Sequence, residues 1–248
     1  INDGLDNFVA SLNTAPGYIA TIDSRDTSWF SSSAVVSVGI APVIFADLVL
    51  DSAELGGFED LSATINVSAQ HGPFLTLNGL SLGLSAWKAE VDQSVFREFL
   101  AYAEDEKLYS VTGSVGLFGG VSFEDIMPKF TVIPQDGGDE AITFSGWNGK
   151  GTASSESAAY SGAIDLVTVS AEGVSFEMQS MIFEGSLEGD WTAPMQGDFY
   201  NSASQLAIAS INFDMPMLDT NAKLEKLFID VKTQKSEDDS LMDMDITY

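Results

Sequence analysis

The chain has 248 residues, with 37 Asp and Glu against 10 Lys and Arg, and a net charge of −27. A field of that sign repels phosphate backbones and anionic membrane surfaces, and no Lys/Arg cluster interrupts it, which excludes nucleic acid as a partner. Hydrophobic residues at 45% and charged residues at 19% suit a folded chain, and the absence of cysteine removes disulfides and thiolate chemistry.

Taken in order, the first predicted element is a helix over 3–14. Leu5, Phe8, Val9 and Leu12 recur at i, i+3, i+4 and i+7 after the cap Asp3, and Pro16 closes the segment. Period-2 alternation then dominates. Leu61, Ala63, Ile65 and Val67 alternate with Ser62, Thr64, Asn66 and Ser68, and Trp87, Ala89 and Val91 with Lys88, Glu90 and Asp92. A second helix is expected over 93–105, from Val95, Phe96, Phe99, Leu100 and Ala103. Gly146 to Gly151 reads as a hairpin turn and Gly149 to Ser157 as a solvated loop. Later strands follow Val174, Phe176 and Met178, then Leu227, Ile229 and Val231; Thr220 to Leu227 fits either a helical turn or a strand. One apolar and one polar face is the pattern of antiparallel strands covering a core on one side only. The expected fold is therefore mainly β (α+β): a long curved antiparallel sheet with an N-terminal helix and one further helix packed on it. The chain stops at Tyr248 inside an alternating run and starts at Ile1, so residues 1–248 are expected to form one β-rich domain, part of a longer protein.

Chemistry is sparse. Gly79-Leu80-Ser81-Leu82-Gly83 matches a G-x-S-x-G nucleophile elbow, yet it continues a leucine alternation, and the sole histidine, His71, precedes it. One histidine and no cysteine leave no ligand set for zinc or a redox metal, so no metal and no cofactor are expected. Glu237-Asp238-Asp239 and Asp136, Asp139 and Glu140 read as solvated acidic loops.

Three groups of residues resemble the YdgA-like family, bacterial envelope proteins classed as a domain of unknown function. They are Trp29-Phe30-Ser31-Ser32 just after the N-terminal helix, His71-Gly72-Pro73, and the succession Gly113-Ser114-Val115, Phe144-Ser145-Gly146-Trp147, Tyr160-Ser161-Gly162. Where the family has a short Gly-containing link before Trp-Phe, this chain has Asp26-Thr27-Ser28, so a wider turn is expected. The resemblance implies an extracytoplasmic domain in the periplasm, anchored to the inner membrane through a segment absent from this chain. It implies no catalytic residue.

On the residues themselves, Trp29 and Phe30 are expected to anchor the first helix onto the sheet, and Gly72 and Pro73 to fix a bend after His71. An apolar concave face invites a lipid or other apolar small molecule, with Leu75, Leu77, Leu80, Leu82, Val115, Leu117, Phe176 and Met178 as candidate lining or ordinary core. The leading expectation is a non-enzymatic binding or scaffold module. The alternatives are a structural protein that self-associates or docks on another envelope protein by sheet edges, and a carboxylate-pair glycan hydrolase.

Overall fold

The structure is a computed structural model that describes residues 2–14, 18–40, 62–91, 96–98, 100–134, 141–171, 173–189, 201–216, 219–235 and 242–247. Helix α1 (Asn2–Thr14) is followed by β1 (Tyr18–Thr27) and β2 (Ser31–Ile40). Next come β3 (Ser62–His71), the short β4 (Phe74–Leu75) and β5 (Ser81–Leu82), β6 (Ser85–Val91) and β7 (Leu100–Ala101). The middle of the chain forms β8 (Ser110–Val115), β9 (Val121–Met127), β10 (Phe130–Val132), β11 (Ala141–Phe144) and β12 (Trp147–Ala153). Four long strands follow, β13 (Ser157–Ala171), β14 (Val174–Glu188), β15 (Asn201–Met215) and β16 (Thr220–Lys235), and β17 (Met242–Thr247) closes the described chain.

Fifteen of these strands pair antiparallel into one sheet, ordered β1-β2-β3-β6-β8-β9-β12-β13-β14-β15-β16-β17. The long β13 serves two neighbours: residues 158–163 pair with β12, and residues 167–170 pair with β11, beyond which lie β10 and β7. At that junction the Ser145 amide donates to the Leu166 carbonyl (2.9 Å) and the Leu166 amide to Ser145 Oγ (2.8 Å), while Gly146 takes φ of 111°.

A crease crosses the long strands at the same level. Regular pairing lapses at Asp165 opposite Ser180, at Ser180 opposite Ala209 and at Ala209 opposite Lys226, and resumes without a change of register. Ser180 (φ 51°) and Lys226 (φ 59°) are left-handed there, a conformation that side chains resist. Apolar parity switches at this line in all four strands. It runs from Ile164 to Val167 in β13, from Met178 to Met181 in β14, from Ile208 to Ile211 in β15 and from Leu224 to Leu227 in β16. The half-buried positions of β14 switch parity with the apolar ones.

The core is thin. Among the described residues the buried hydrophobics are mostly small (Ala20, Ala34, Ala69, Ala86), and only Leu75 and Val36 are large and fully buried. That is the burial expected of a sheet over which the described residues lay little. The packing partners of β13 to β16 are their own neighbours in the sheet. Helix α1 lies against β1, where Asn13 exchanges two hydrogen bonds with the Ala20 backbone (2.7 and 2.9 Å) and Asp6 pairs with Arg25 at 2.6 Å.

The mainly β fold and the N-terminal helix are as the sequence predicts; three expectations need correction. No second helix is described over 93–105, only a single 3-10 turn, Phe96–Glu98. Arg97 draws that stretch around itself, donating to the carbonyls of Tyr102, Ala103 and Glu104 at 3.1 Å and stacking over the Tyr102 ring at 4.2 Å. Leu100 and Ala101 then pair with Val132 and Thr131, so a strand pairing overrides the helical spacing. Gly146 to Gly151 is no hairpin turn: Asn148 and Gly149 sit inside β12, and only residues 154–156 form the tip of the 149–157 stretch. Trp29 and Phe30 do not anchor α1. They stand 94% and 68% exposed at the tip of the β1–β2 hairpin, beyond the helix, which holds the middle of β1 instead. Thr220 to Leu227 resolves as strand.

Candidate functional site

One face of the central strands combines glycines with aromatic rings. Gly113 lies opposite Trp87 in register, Gly151 opposite Phe123, and Gly162 lies beneath Trp147. A Cβ on any of these glycines would overlap the ring above it. Glycine in a strand marks such a close approach, and the ring restores the packing that glycine forgoes. Phe123 and Trp147 stack on Tyr160 at centroid distances of 5.9 and 6.2 Å, and Phe183 tilts against it at 6.1 Å.

Asp125 is buried in this face, 4% exposed, above Gly149. Its carboxylate accepts from Trp147 Nε1 (2.7 Å), from the Tyr160 hydroxyl (2.9 and 3.1 Å) and from the Tyr109 hydroxyl (3.1 Å). Three neutral donors replace the water that the charge has lost, which is the condition for keeping a carboxylate inside. Burial first, and then the neighbouring Asp125 charge, push the Tyr109 hydroxyl well above its ordinary range. Burial and the hydrogen bond to Asp125 push Tyr160 up to about 12, against a smaller downward pull from Trp147. Phenols so raised hold their protons at neutral pH and remain hydrogen-bond donors to Asp125.

The elbow motif has no elbow. Ser81 lies in β5 opposite Leu75, and the next described element is strand β6, where a nucleophile elbow needs a helix. His71 Nε2 bonds Ser32 Oγ at 2.8 Å and the His71 amide donates to the Phe30 carbonyl, so His71 ties the β2–β3 end together. Gly72, with φ of 117°, and Pro73 make the bend between β3 and β4, as the sequence predicts. Among the described residues no group of His, Asp and Glu is arranged to hold a metal ion; the two acidic clusters named above lie outside the described residues.

The predicted lining residues fall into two places. Leu75 is fully buried under the β3–β6 connection, with Leu77 half-buried beside it. Leu80, Leu82 and Leu117 stand exposed at that end of the sheet, where Val115 ends β8. Phe176 and Met178 lie at the other end, on β14. There they join cross-strand rows that the sequence reading did not assemble: Val167–Met178–Ile211–Leu224 and Val169–Phe176–Phe213–Ala222. Beyond the crease the rows continue through Ile164–Met181–Ile208–Leu227 and Phe183–Leu206–Ile229. Most of these side chains are half-buried, and Leu224 is 48% exposed where the rows reach β16. A separate groove of ≈ 520 Å³ crosses the polar side of β12 to β15, lined by Lys150, Thr152, Ser161, Glu184, Ser186 and Gln205. None of the predicted lining residues reaches it.

Fold and site together define an antiparallel β-sheet protein with an aromatic, glycine-paired centre and apolar rows on its long strands over which no described element lies. The chain belongs to the family described as bacterial protein of unknown function (DUF945), whose family model matches residues 1–248. No curated protein and no solved structure is significantly similar to it.

Proposed function

We propose that the protein is a non-enzymatic binding module of the bacterial envelope, and that the apolar rows of β13 to β16 receive an apolar molecule such as a lipid acyl chain. The observation that carries this reading is the pair of rows through Met178 and Phe176, four strands wide, half-buried and with no described helix or second sheet across them. A monomeric fold seldom leaves such a surface to water, and each methylene laid on it gains about 0.8 kcal/mol. The long strands supply a track four strands wide. The buried Asp125 knot is closed by its own donors and supports a structural part in place of a catalytic one. The resemblance to YdgA-like envelope proteins supports a place in the periplasm, with the inner-membrane anchor in a segment outside this chain.

The test is titration with a fluorescent long-chain fatty acid. Saturable binding is expected, displaced by unlabelled lipid and weakened at least tenfold by Met178→Glu with Ile211→Glu. Those charges would stand on neighbouring strands in the middle of the row. Binding unchanged in that double variant, with folding verified by circular dichroism, would remove the rows as the site.

A further inference from the structure

The end of the sheet away from Phe176 carries a second, independent apolar surface. Three loops meet there: the β1–β2 tip, the β3–β6 connection through β4 and β5, and the β8–β9 tip. Backbone hydrogen bonds lock them side by side. The His71 amide donates to the Phe30 carbonyl (2.8 Å), the Gly72 amide to Leu84 (3.1 Å) and the Leu84 amide to Val115 (2.8 Å). Tight turns hold the tips outward: the Ser28 amide donates to the Ser31 carbonyl at 2.7 Å, and the Gly119 amide to the Gly116 carbonyl at 3.0 Å. On these tips Phe118 is 102% exposed, Trp29 94%, Leu80 86%, Phe74 71%, Phe30 68% and Leu82 62%.

Charge is missing from these three loops, and the neighbouring β12–β13 tip at the same end carries Glu156. Residues 27–34, 62–87 and 108–123 contain no Asp, Glu, Lys or Arg, in a chain whose net charge is −27. Scattered exposed apolar residues are ordinary, but six large ones on three hydrogen-bonded loops that carry no charged residue form a surface. We propose that this uncharged rim docks on a lipid bilayer, inserting Trp29, Leu80 and Phe118 into its interface. The occupant follows from charge and shape. A protein interface mixes charge into its contact, whereas these three loops carry none, and a second copy would bring another −27 against it. Separate tips at nearly full exposure suit a fluid phase, and an indole ring sits favourably at headgroup level. The same net charge selects zwitterionic lipid over anionic lipid.

Flotation of the whole chain with phosphatidylcholine vesicles tests this. The protein is expected to float with them, and equally at low and at molar sodium chloride. Vesicles rich in phosphatidylglycerol should capture less at low salt and recover as salt screens the repulsion. Trp29→Ser, Leu80→Ser and Phe118→Ser together should reduce flotation several-fold with an unchanged melting temperature, because all three side chains already face water. Ile142→Ser, at the opposite end on β11, should float like the parent chain. Absence of flotation would overturn the proposal, as would equal loss in the triple variant and in Ile142→Ser. A triple variant that floats normally would also overturn it. Sedimentation showing a dimer that the triple variant dissolves, without vesicle binding, would assign the rim to self-association instead. The triple variant separates the rim from the rows around Met178, which those substitutions leave intact.

Discussion

At the scale of single residues the sheet is organised around Asp125. Truncating it with Asp125→Ala leaves the Trp147, Tyr160 and Tyr109 donors without their shared acceptor, a loss of roughly 3 kcal/mol from unmet buried hydrogen bonds. Urea unfolding measures it. The knot also sets an alkaline limit. Tyr160 titrates near 10 unfolded and near 12 folded, so the fold favours the neutral phenol. Its contribution is complete below pH 10 and is lost as pH rises towards 12, and Tyr109 acts in the same direction. Thermal melts from pH 9 to 12 should fall, and Tyr160→Phe, less stable at neutral pH, should fall less steeply over that window. Much of this centre was legible as motif: Gly113, Trp147, Tyr160 and Gly162 stand in the succession noted in the sequence. Asp125 was not, because it is one of 37 acids and nothing in its neighbours says that it faces inward. Trp29 and Phe30 misled for the opposite reason, since large aromatic side chains suggest anchoring and here stand in water.

At the scale of elements, alternation located β3, β6, β17 and the first part of β14, Val174 to Met178, because each of these stretches keeps one apolar side. The same logic could not foresee the crease, since a change of parity inside one strand reads as two shorter strands. The 93–105 stretch failed through tertiary override, as Arg97 and the β7–β10 pairing outweigh local periodicity. The crease makes an expectation that reverses ordinary strand preference. Valine is a strong strand former, yet in the left-handed conformation of Ser180 a β-branched side chain is strained. Ser180→Val should therefore destabilise by about 1–2 kcal/mol, and Ser180→Gly should equal or exceed the parent chain. Denaturant midpoints rank the three. A more stable valine variant would mean that β14 runs straight through residue 180.

At the scale of the whole molecule, net charge and open architecture act together. Many exposed carboxylates with few compensating cations repel one another, and the screening length falls from about 30 Å at 0.01 M salt to about 3 Å at 1 M. The thermal midpoint should rise between those sodium chloride concentrations; a flat or falling midpoint would show that the acids are spread too thinly to matter. An occupant of the rows would add directly to stability by mass action, in proportion to its affinity and concentration. Composition revealed the charge, and alternation the β class. Neither revealed how the apolar rows line up across β13 to β16, which depends on strand register.

The central claim is that those rows hold an apolar molecule. Native mass spectrometry of the protein, purified from bacterial envelopes without detergent, tests it most directly. The account predicts a population heavier than the bare chain by the mass of a lipid, released by organic extraction and absent from the Met178→Glu, Ile211→Glu variant. A single species at the mass of the bare chain, unchanged when long-chain fatty acid is added, would contradict it.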